Sequence, residues 1–378
     1  MKRLILIPLL ILIVTLSGCS HLNKAKDLVT NPTDRERYQR DFNISAQLFQ
    51  IWEEQAQLAL YDSIQIGLPY LQTGQFRPKA FQVFSYNVQL NPGERLDVVV
   101  EPDSASSLIF IDLFTRQNDS LAPFKKITGT GYEKQSLRNE IKEPGLYKIV
   151  IQPEINADTP FVIKMKKSSV YEFPVAGGVN KHIQSFWGAS RDGGGRSHEG
   201  IDIFAARGTP VVAATNGRIT SSGERGLGGK QVWLRDTERG QSLYYAHLDS
   251  IAPLGNSRVK KGDTIGFVGN TGNARTTAPH LHFGIYKGYG GAIDPLSFVY
   301  QIEEPNFDLI KEAPGQERLV TKATSNLRDQ PTTKSSNIIG NLVAQDTLQL
   351  LGKSQEWFHI RTSQNQAAFI HESLVTPI

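Results

Sequence analysis

The chain has 378 residues, 39% hydrophobic and 21% charged, with a formal net charge of +4. That length exceeds one ordinary hydrophobic core and predicts two to four domains. So small an excess of positive charge argues against a dedicated nucleic-acid binder, which would carry a clustered basic stripe.

Residues 1–18 read as a signal segment. Lys2 and Arg3 precede an apolar run from Leu4 to Leu16, too short for a comfortable membrane span. Leu16-Ser17-Gly18-Cys19 follows, and the stretch resembles a bacterial lipoprotein signal with its lipobox. That resemblance implies that Cys19 is the lipidated first residue of the mature protein and ties it to a membrane. Cys19 is the only cysteine, so no disulfide forms within the chain and no other thiol is left to oxidise outside the cytoplasm. Loss of residues 1–18 would lower the formal charge to +2. By resemblance to Gram-negative lipoproteins, Ser20 after the cysteine implies the outer membrane, facing the periplasm.

Residues 19–33 are polar, end near Asn31-Pro32 and read as a tether. In the next segment, 34–75, Leu48, Ile51, Trp52, Ala56, Leu58 and Ala59 recur at roughly helical spacing, predicting one or two helices. Residues 76–168 change character. Short β-branched or aromatic runs at 81–84, 96–100, 108–112, 147–152 and 161–165 alternate with turn formers such as Asn91-Pro92-Gly93, predicting a β-sandwich.

Residues 171–300 are rich in glycine and in strand-like runs, among them 210–214, 217–220, 231–234, 242–245 and 264–268. Residues 301–316 form a linker with Pro305 and Pro314. The last unit, 317–378, has short runs at 325–328, 340–343, 347–351, 356–361 and 367–370 that fit a small barrel. With Asn326-Leu327-Arg328, Gly340, Trp357 and Ala368-Phe369-Ile370, it resembles a bacterial SH3-like domain. The expected fold class is mainly β and multidomain: an N-terminal helix plus β-sandwich, an antiparallel β-sheet unit and a small SH3-like barrel.

The chemistry concentrates in three segments of 171–300. They are His198-Glu199-Gly200-Ile201-Asp202, Tyr245-Ala246-His247-Leu248 and Pro279-His280-Leu281-His282-Phe283, and they hold four of the 8 histidines. A hydrolytic zinc centre needs three protein ligands, an open position for water and groups that handle protons. Gly200 and the run Asp192-Gly193-Gly194-Gly195 oppose a helix. On an extended strand, positions 198, 200 and 202 share a side, and the missing side chain at 200 leaves a gap over which two ligands can lean toward one ion. His280 and His282 likewise share a face, with Leu281 directed to the core. His21, His182, His359 and His371 lack such company and read as structural or surface residues. Glu199 is a tempting base, but H-E-x-x-H needs His at 202, where Asp stands. Gly188-Ala189-Ser190-Arg191-Asp192 lacks the last glycine of a nucleophile elbow. Gly228-Gly229-Lys230-Gln231 lacks the Ser/Thr and leading glycine of a phosphate loop.

The segment resembles the lysostaphin-type (LytM-type) zinc metallopeptidases, which cut peptide bonds in bacterial cell walls. The matching text adds Gly208-Thr209-Pro210, Gly262-Asp263 and Gly269-Asn270-Thr271-Gly272 to the histidine segments; Ala278 stands where many members have Gly. The resemblance implies one Zn²⁺ per chain bound by His198, Asp202 and His282, with His247 and His280 as catalytic histidines. The residues alone leave open whether His280 or His282 is the ligand, and how His247 and His280 divide proton transfer and oxyanion stabilisation. The implied function is a membrane-anchored zinc metalloendopeptidase hydrolysing peptide cross-links of peptidoglycan. Cell-wall enzymes or divisome components are the further partners to look for. Two alternatives stand beside it: a non-enzymatic regulator of cell-wall amidases, or a zinc peptidase acting on a protein substrate.

Overall fold

Local capping explains the helices. Thr33 and Glu36 form a reciprocal capping box ahead of α1 (Asp34–Asp41), and the Ser45 hydroxyl accepts from the Leu48 N–H to start α2 (Ala46–Leu58). The helical run is therefore two helices. Phe49, Trp52 and Ala56 of α2 are buried, whereas Ile51 and Leu58 face solvent. The computed structural model describes residues 27–378 apart from 105–106, 117–121, 254–257, 304–306, 308–313 and 316. The expected signal segment 1–18 and the expected lipidation site Cys19 lie outside the described residues. Among the described residues, no helix is long and apolar enough to cross a membrane.

The helices lead into β1 (Tyr70–Phe76), β2 (Phe84–Leu90), β3 (Glu94–Pro102), β4 (Ile109–Thr115), β5 (Lys125–Gly129), β6 (Ser136–Glu140), β7 (Gly145–Pro153) and β8 (Thr159–Ser169). One sheet runs β2-β7-β4-β5, and the facing sheet contains β1-β8-β3-β6. Alternate residues such as Ile109, Ile111 and Leu113 of β4 meet Val98, Val100 and Ile163 between the sheets. The opposite face of β4 and β7 is covered as well: Phe110 packs on Tyr38 and Trp52 of the helices. Arg35 lies over the Trp52 and Phe110 rings and bonds Asp112 at 2.8 Å.

β1 (70–76) overlaps the 34–75 segment expected to be helical, and β5 and β6 carry no apolar strand pattern. The reasons are physical. β5 and β6 are polar strands, Lys-Lys-Ile-Thr-Gly and Ser-Leu-Arg-Asn-Glu. β1 contains Gly74, where a Cβ would lie 2.5 Å from the Phe161 ring and 2.7 Å from the Leu351 carbonyl. Its glycine is a close approach of three chain segments, and it masks the strand pattern.

The central unit comprises β9 (Ile183–Ser185), β10 (Ser190–Arg191), β11 (Arg196–Ser197), β12 (Ile201–Phe204), β13 (Pro210–Val212), β14 (Gly217–Arg225), β15 (Gly229–Asp236), β16 (Gln241–Ile251), β17 (Arg258–Val259), β18 (Thr264–Val268), β19 (His280–Tyr286) and β20 (Ala292–Ile293). Its sheet follows the antiparallel path β17-β14-β15-β16-β19-β12-β9, with β10 and β11 forming a separate hairpin. Ile203, Leu243, Tyr245, Leu281 and Phe283 fill one face. The short helix α3 (Leu296–Val299) fastens this unit to the sandwich. Its Ser297 hydroxyl donates to the Pro92 carbonyl at 2.5 Å, and Arg239 bonds both oxygens of Glu140.

The C-terminal strands are β21 (Arg318–Thr321), β22 (Ser325–Arg328), β23 (Ile338–Leu342), β24 (Thr347–Ser354), β25 (Trp357–Arg361), β26 (Ala367–His371) and β27 (Val375–Pro377). They enclose a core of their own around Leu319, Leu348, Ile360 and Ile370. They are not independent of the sandwich, however. β24 pairs with β1 through Thr73 and Lys353, and Leu351, Trp357 and Phe369 enter the sandwich core. Buried His359 sits at this seam between Tyr86 and Phe369, with Nδ1 3.2 Å from the Gln72 Oε1. Burial pushes its pKa down to about 3, and Arg361 adds to the effect.

Candidate metal centre

The site is built on the pairing of β12 with β19. In that antiparallel register Asp202 stands opposite His282 and Phe204 opposite His280. The intervening Ile203 and Leu281 are fully buried on the other face, as strand alternation requires. On the far side of β19, Ala246 of β16 stands opposite His282.

His198 is not on the strand, contrary to the parity expected for 198, 200 and 202. β12 begins at Ile201, and His198 is fixed by the preceding turn. Its N–H donates to the Ala189 carbonyl and its carbonyl accepts from the Gly188 N–H, both at 2.9 Å. The gap at Gly200 serves a different neighbour from the one expected. A Cβ there would lie 2.5 Å from the Phe283 carbonyl oxygen and 2.7 Å from Cε1 of His282. The absent side chain makes room for the His282 imidazole.

Three ligand atoms converge: His198 Nε2, Asp202 Oδ1 and His282 Nδ1 are each 3.0 Å from the other two. His198 Nδ1 lies 2.8 Å from the Phe186 carbonyl, an acceptor, so Nδ1 carries the proton and the Nε2 lone pair points to the centre. Tetrahedral zinc with bonds of about 2.0–2.1 Å sets its ligand atoms about 3.3 Å apart, close to this triangle. Two imidazoles and one carboxylate are also the donor types zinc accepts, so the residues fit the ion. Burial opposes the charge on Asp202, but the imidazoles of His198 and His282 against Oδ1 outweigh it and hold its pKa well below the carboxylate range. The second oxygen, Oδ2, accepts from Arg191 at 2.5 Å.

Two further imidazoles flank the triangle. His280 stacks on Phe204 at 4.9 Å, and its Nδ1 donates to the Ala278 carbonyl at 2.8 Å. His247 Nδ1 donates to the Thr271 carbonyl at 2.9 Å. In both rings Nε2 therefore carries the lone pair. The ring centres of His247 and His280 are 5.1 Å apart, and those of His247 and His282 are 5.9 Å apart. Burial first, then His282 and His280, push the His247 pKa down to about 4, so it is neutral at pH 7.

His247 reaches this position by breaking strand parity. Ala246 faces the cleft, so an ordinary strand would turn His247 to the opposite side. Instead His247 adopts φ of 63°, inside the register shift that separates the pairs Tyr245–Val232 and Leu248–Lys230, with a second shift following at Leu248/Ser250. Left-handed backbone at a non-glycine residue is costly, and bulges of this kind re-aim side chains beside functional sites. Both Ala246 and His247 thus line the same cleft.

That cleft has a volume of about 720 Å³, and its lining among the described residues comes from positions 184–286. Glu199 is exposed and near the Tyr286 hydroxyl at 3.5 Å, outside the triangle. The five candidate residues His198, Asp202, His247, His280 and His282 are brought together. His182 caps the Val179 N–H and His371 bonds Ser373 at the surface, and His21 lies outside the described residues. Arg191, the Phe186 and Thr271 carbonyls, and Phe204 join the site without having been expected there. Of these only Arg191 left a trace, in the failed nucleophile-elbow segment.

The model of "Peptidase family M23" matches residues 196–295. The DD-carboxypeptidase/endopeptidase Mpg of Neisseria meningitidis is 41% identical over 102 residues, covering 27% of this chain and 23% of that protein. The L-Ala--D-Glu endopeptidase of Bacillus subtilis is 36% identical over 128 residues, covering 32% of this chain and 39% of that one. The chain thus spans well under half the length of these curated relatives. The solved catalytic domain of lysostaphin from Staphylococcus simulans is 34% identical, covering 30% of this chain and 89% of that one, with a TM-score of 0.28.

Proposed function

We propose that this chain, which carries an M23 peptidase domain at residues 196–295, is a zinc metalloendopeptidase that hydrolyses peptide cross-links of peptidoglycan. The observation that carries the reading is the 3.0 Å triangle of His198, Asp202 and His282 beside the imidazoles of His247 and His280. The names of the relatives support the substrate class: they speak of D-amino-acid linkages, which are cell-wall peptide chemistry.

In this reading His198, Asp202 and His282 hold the ion. Zinc bound there would supply Lewis acidity, acidifying water and polarising the scissile carbonyl. The chain's own groups handle the proton. Nε2 of His247 or His280 accepts a proton from the attacking water, because each Nδ1–H is already committed to a carbonyl. The same Nε2–H then delivers that proton to the leaving amine.

The experiment is metal analysis of the purified protein together with digestion of purified sacculi. One zinc per chain and new muropeptides that vanish in His198→Ala are expected. Zinc binding without muropeptides, but with cleavage of a protein, would favour the protein-substrate reading. Absence of zinc and of hydrolysis, with amidase activation retained, would favour the regulator.

We further propose that lipid on Cys19 anchors the protein in the outer membrane, supported by the apolar run Leu4–Leu16 and Leu16-Ser17-Gly18-Cys19. In the same proposal 317–378 is an SH3-like unit that binds wall peptide or a partner. Mass spectrometry of the mature N-terminus and sacculus binding by the full-length protein with substitutions in that unit test these two parts.

A further inference from the structure

We propose that Arg191 is a positioning residue of the metal centre: it holds Oδ2 of Asp202 so that only Oδ1 faces the ion, and it ties one wall of the cleft to that carboxylate. The inference rests on the zinc reading above.

Three observations support it. The Arg191 guanidinium bonds Asp202 Oδ2 at 2.5 Å and the Ser185 hydroxyl at 2.7 Å through one nitrogen. Asp202 Oδ1 is the oxygen of the triangle, 3.0 Å from both His198 and His282. Finally, Arg191 does not come from the sheet that carries Asp202. It sits on the β10–β11 hairpin, whose turn passes through Gly193 and Gly194 at φ of 67° and 100°. That hairpin forms a wall of the cleft.

The chemistry follows from charge and valence. A carboxylate with both oxygens free can swing between one-oxygen and two-oxygen binding, which raises the coordination number and closes the position water needs. A charge-assisted bond to Oδ2 opposes that swing. Arg is suited to the task because its charge persists at every working pH and its planar head can hold carboxylate and hydroxyl together. Ser185 Oγ is in turn 3.4 Å from His198 Nδ1, so Arg191, Ser185, Asp202 and His198 form one connected group. Partners of this kind commonly change metal affinity by about 10–100-fold.

The test uses the full protein with zinc and with cobalt(II) as a spectroscopic probe. Wild type, Arg191→Ala and Arg191→Gln are compared for zinc affinity by competition with a chromophoric chelator, and for the visible spectrum of the cobalt form. The expected result is a loss of about 10–100-fold in zinc affinity for Arg191→Ala, and a smaller loss for Arg191→Gln. The cobalt absorption should weaken as the carboxylate becomes two-coordinate and the coordination number rises. A residue that only braced the hairpin would shift thermal stability and leave the cobalt spectrum unchanged. Unchanged zinc affinity and spectrum in either folded variant would overturn the proposal. Failure of the wild type itself to bind zinc would instead overturn the reading beneath it.

Discussion

Gly200→Ala is a one-carbon test of the metal centre. The added Cβ would stand 2.5 Å from the Phe283 carbonyl oxygen, 2.7 Å from Cε1 and 2.9 Å from Nε2 of His282. Relief requires a separation of about 1 Å to restore ordinary contact. The Phe283 carbonyl belongs to the β12–β19 pairing, where Ile201 faces Phe283, and cannot move without disturbing the sheet. The His282 ring is the softer partner, so it takes most of the displacement. Metal–ligand distances tolerate only about 0.2 Å, so a displaced His282 leaves the triangle. Overpacking of this size costs about 1–3 kcal/mol, which corresponds to roughly 5–150-fold in zinc affinity if the strain falls on the site. The assay is equilibrium competition for zinc, with melting temperature measured with and without metal. Gly67→Ala, where an added Cβ meets nothing within 4 Å, is the control. Wild-type zinc affinity in Gly200→Ala would refute the claim that the missing side chain makes room for the ring.

Other outcomes follow from the same geometry. His247→Ala and His280→Ala should each keep zinc at wild-type stoichiometry while kcat falls by about 10²–10⁴-fold; metal analysis beside single-turnover hydrolysis checks the separation. His198→Ala should lose the metal and the activity together. Acid should weaken the seam between sandwich and C-terminal unit through His359. Its folded pKa lies near 3, so the unfolded chain binds a proton below about pH 6.5 while the folded chain does not. Stability is therefore complete above that value and is lost as pH falls toward 3, by at most about 5 kcal/mol. Urea midpoints of wild type and His359→Leu across pH 7 to 4 should diverge in slope, and parallel curves would refute this. Arg35→Ala should lower stability by about 1–3 kcal/mol through loss of a charge-assisted hydrogen bond and two ring contacts, read as a shift of the urea midpoint.

Much of the molecule is legible in the sequence because its determinants are local. Two-residue periodicity places His280 and His282 on one face and Leu281 in the core, and β19 pairs accordingly. Apolar runs mark the sandwich strands whose two faces are both covered. The polar strands β5 and β6 and the glycine-bearing β1 escaped, because what makes them strands is the neighbour they pair with. Glu199 fails the H-E-x-x-H pattern because Asp stands at 202, and its carboxylate lies by the Tyr286 hydroxyl.

What the sequence by itself determined is the donor inventory: four histidines and one aspartate at glycine-flanked positions, and strand parity for Asp202, His280 and His282. Only the tertiary structure decided how they meet. His198 arrives from a turn held by backbone bonds to residues 188 and 189. His247 is turned to the cleft by its own left-handed backbone inside a register shift of β16. Arg191 reaches Asp202 from a separate hairpin. Periodicity encodes the direction of a side chain along one strand, but a bulge, a turn or a second element acts through space, and spacing along the chain carries no record of it.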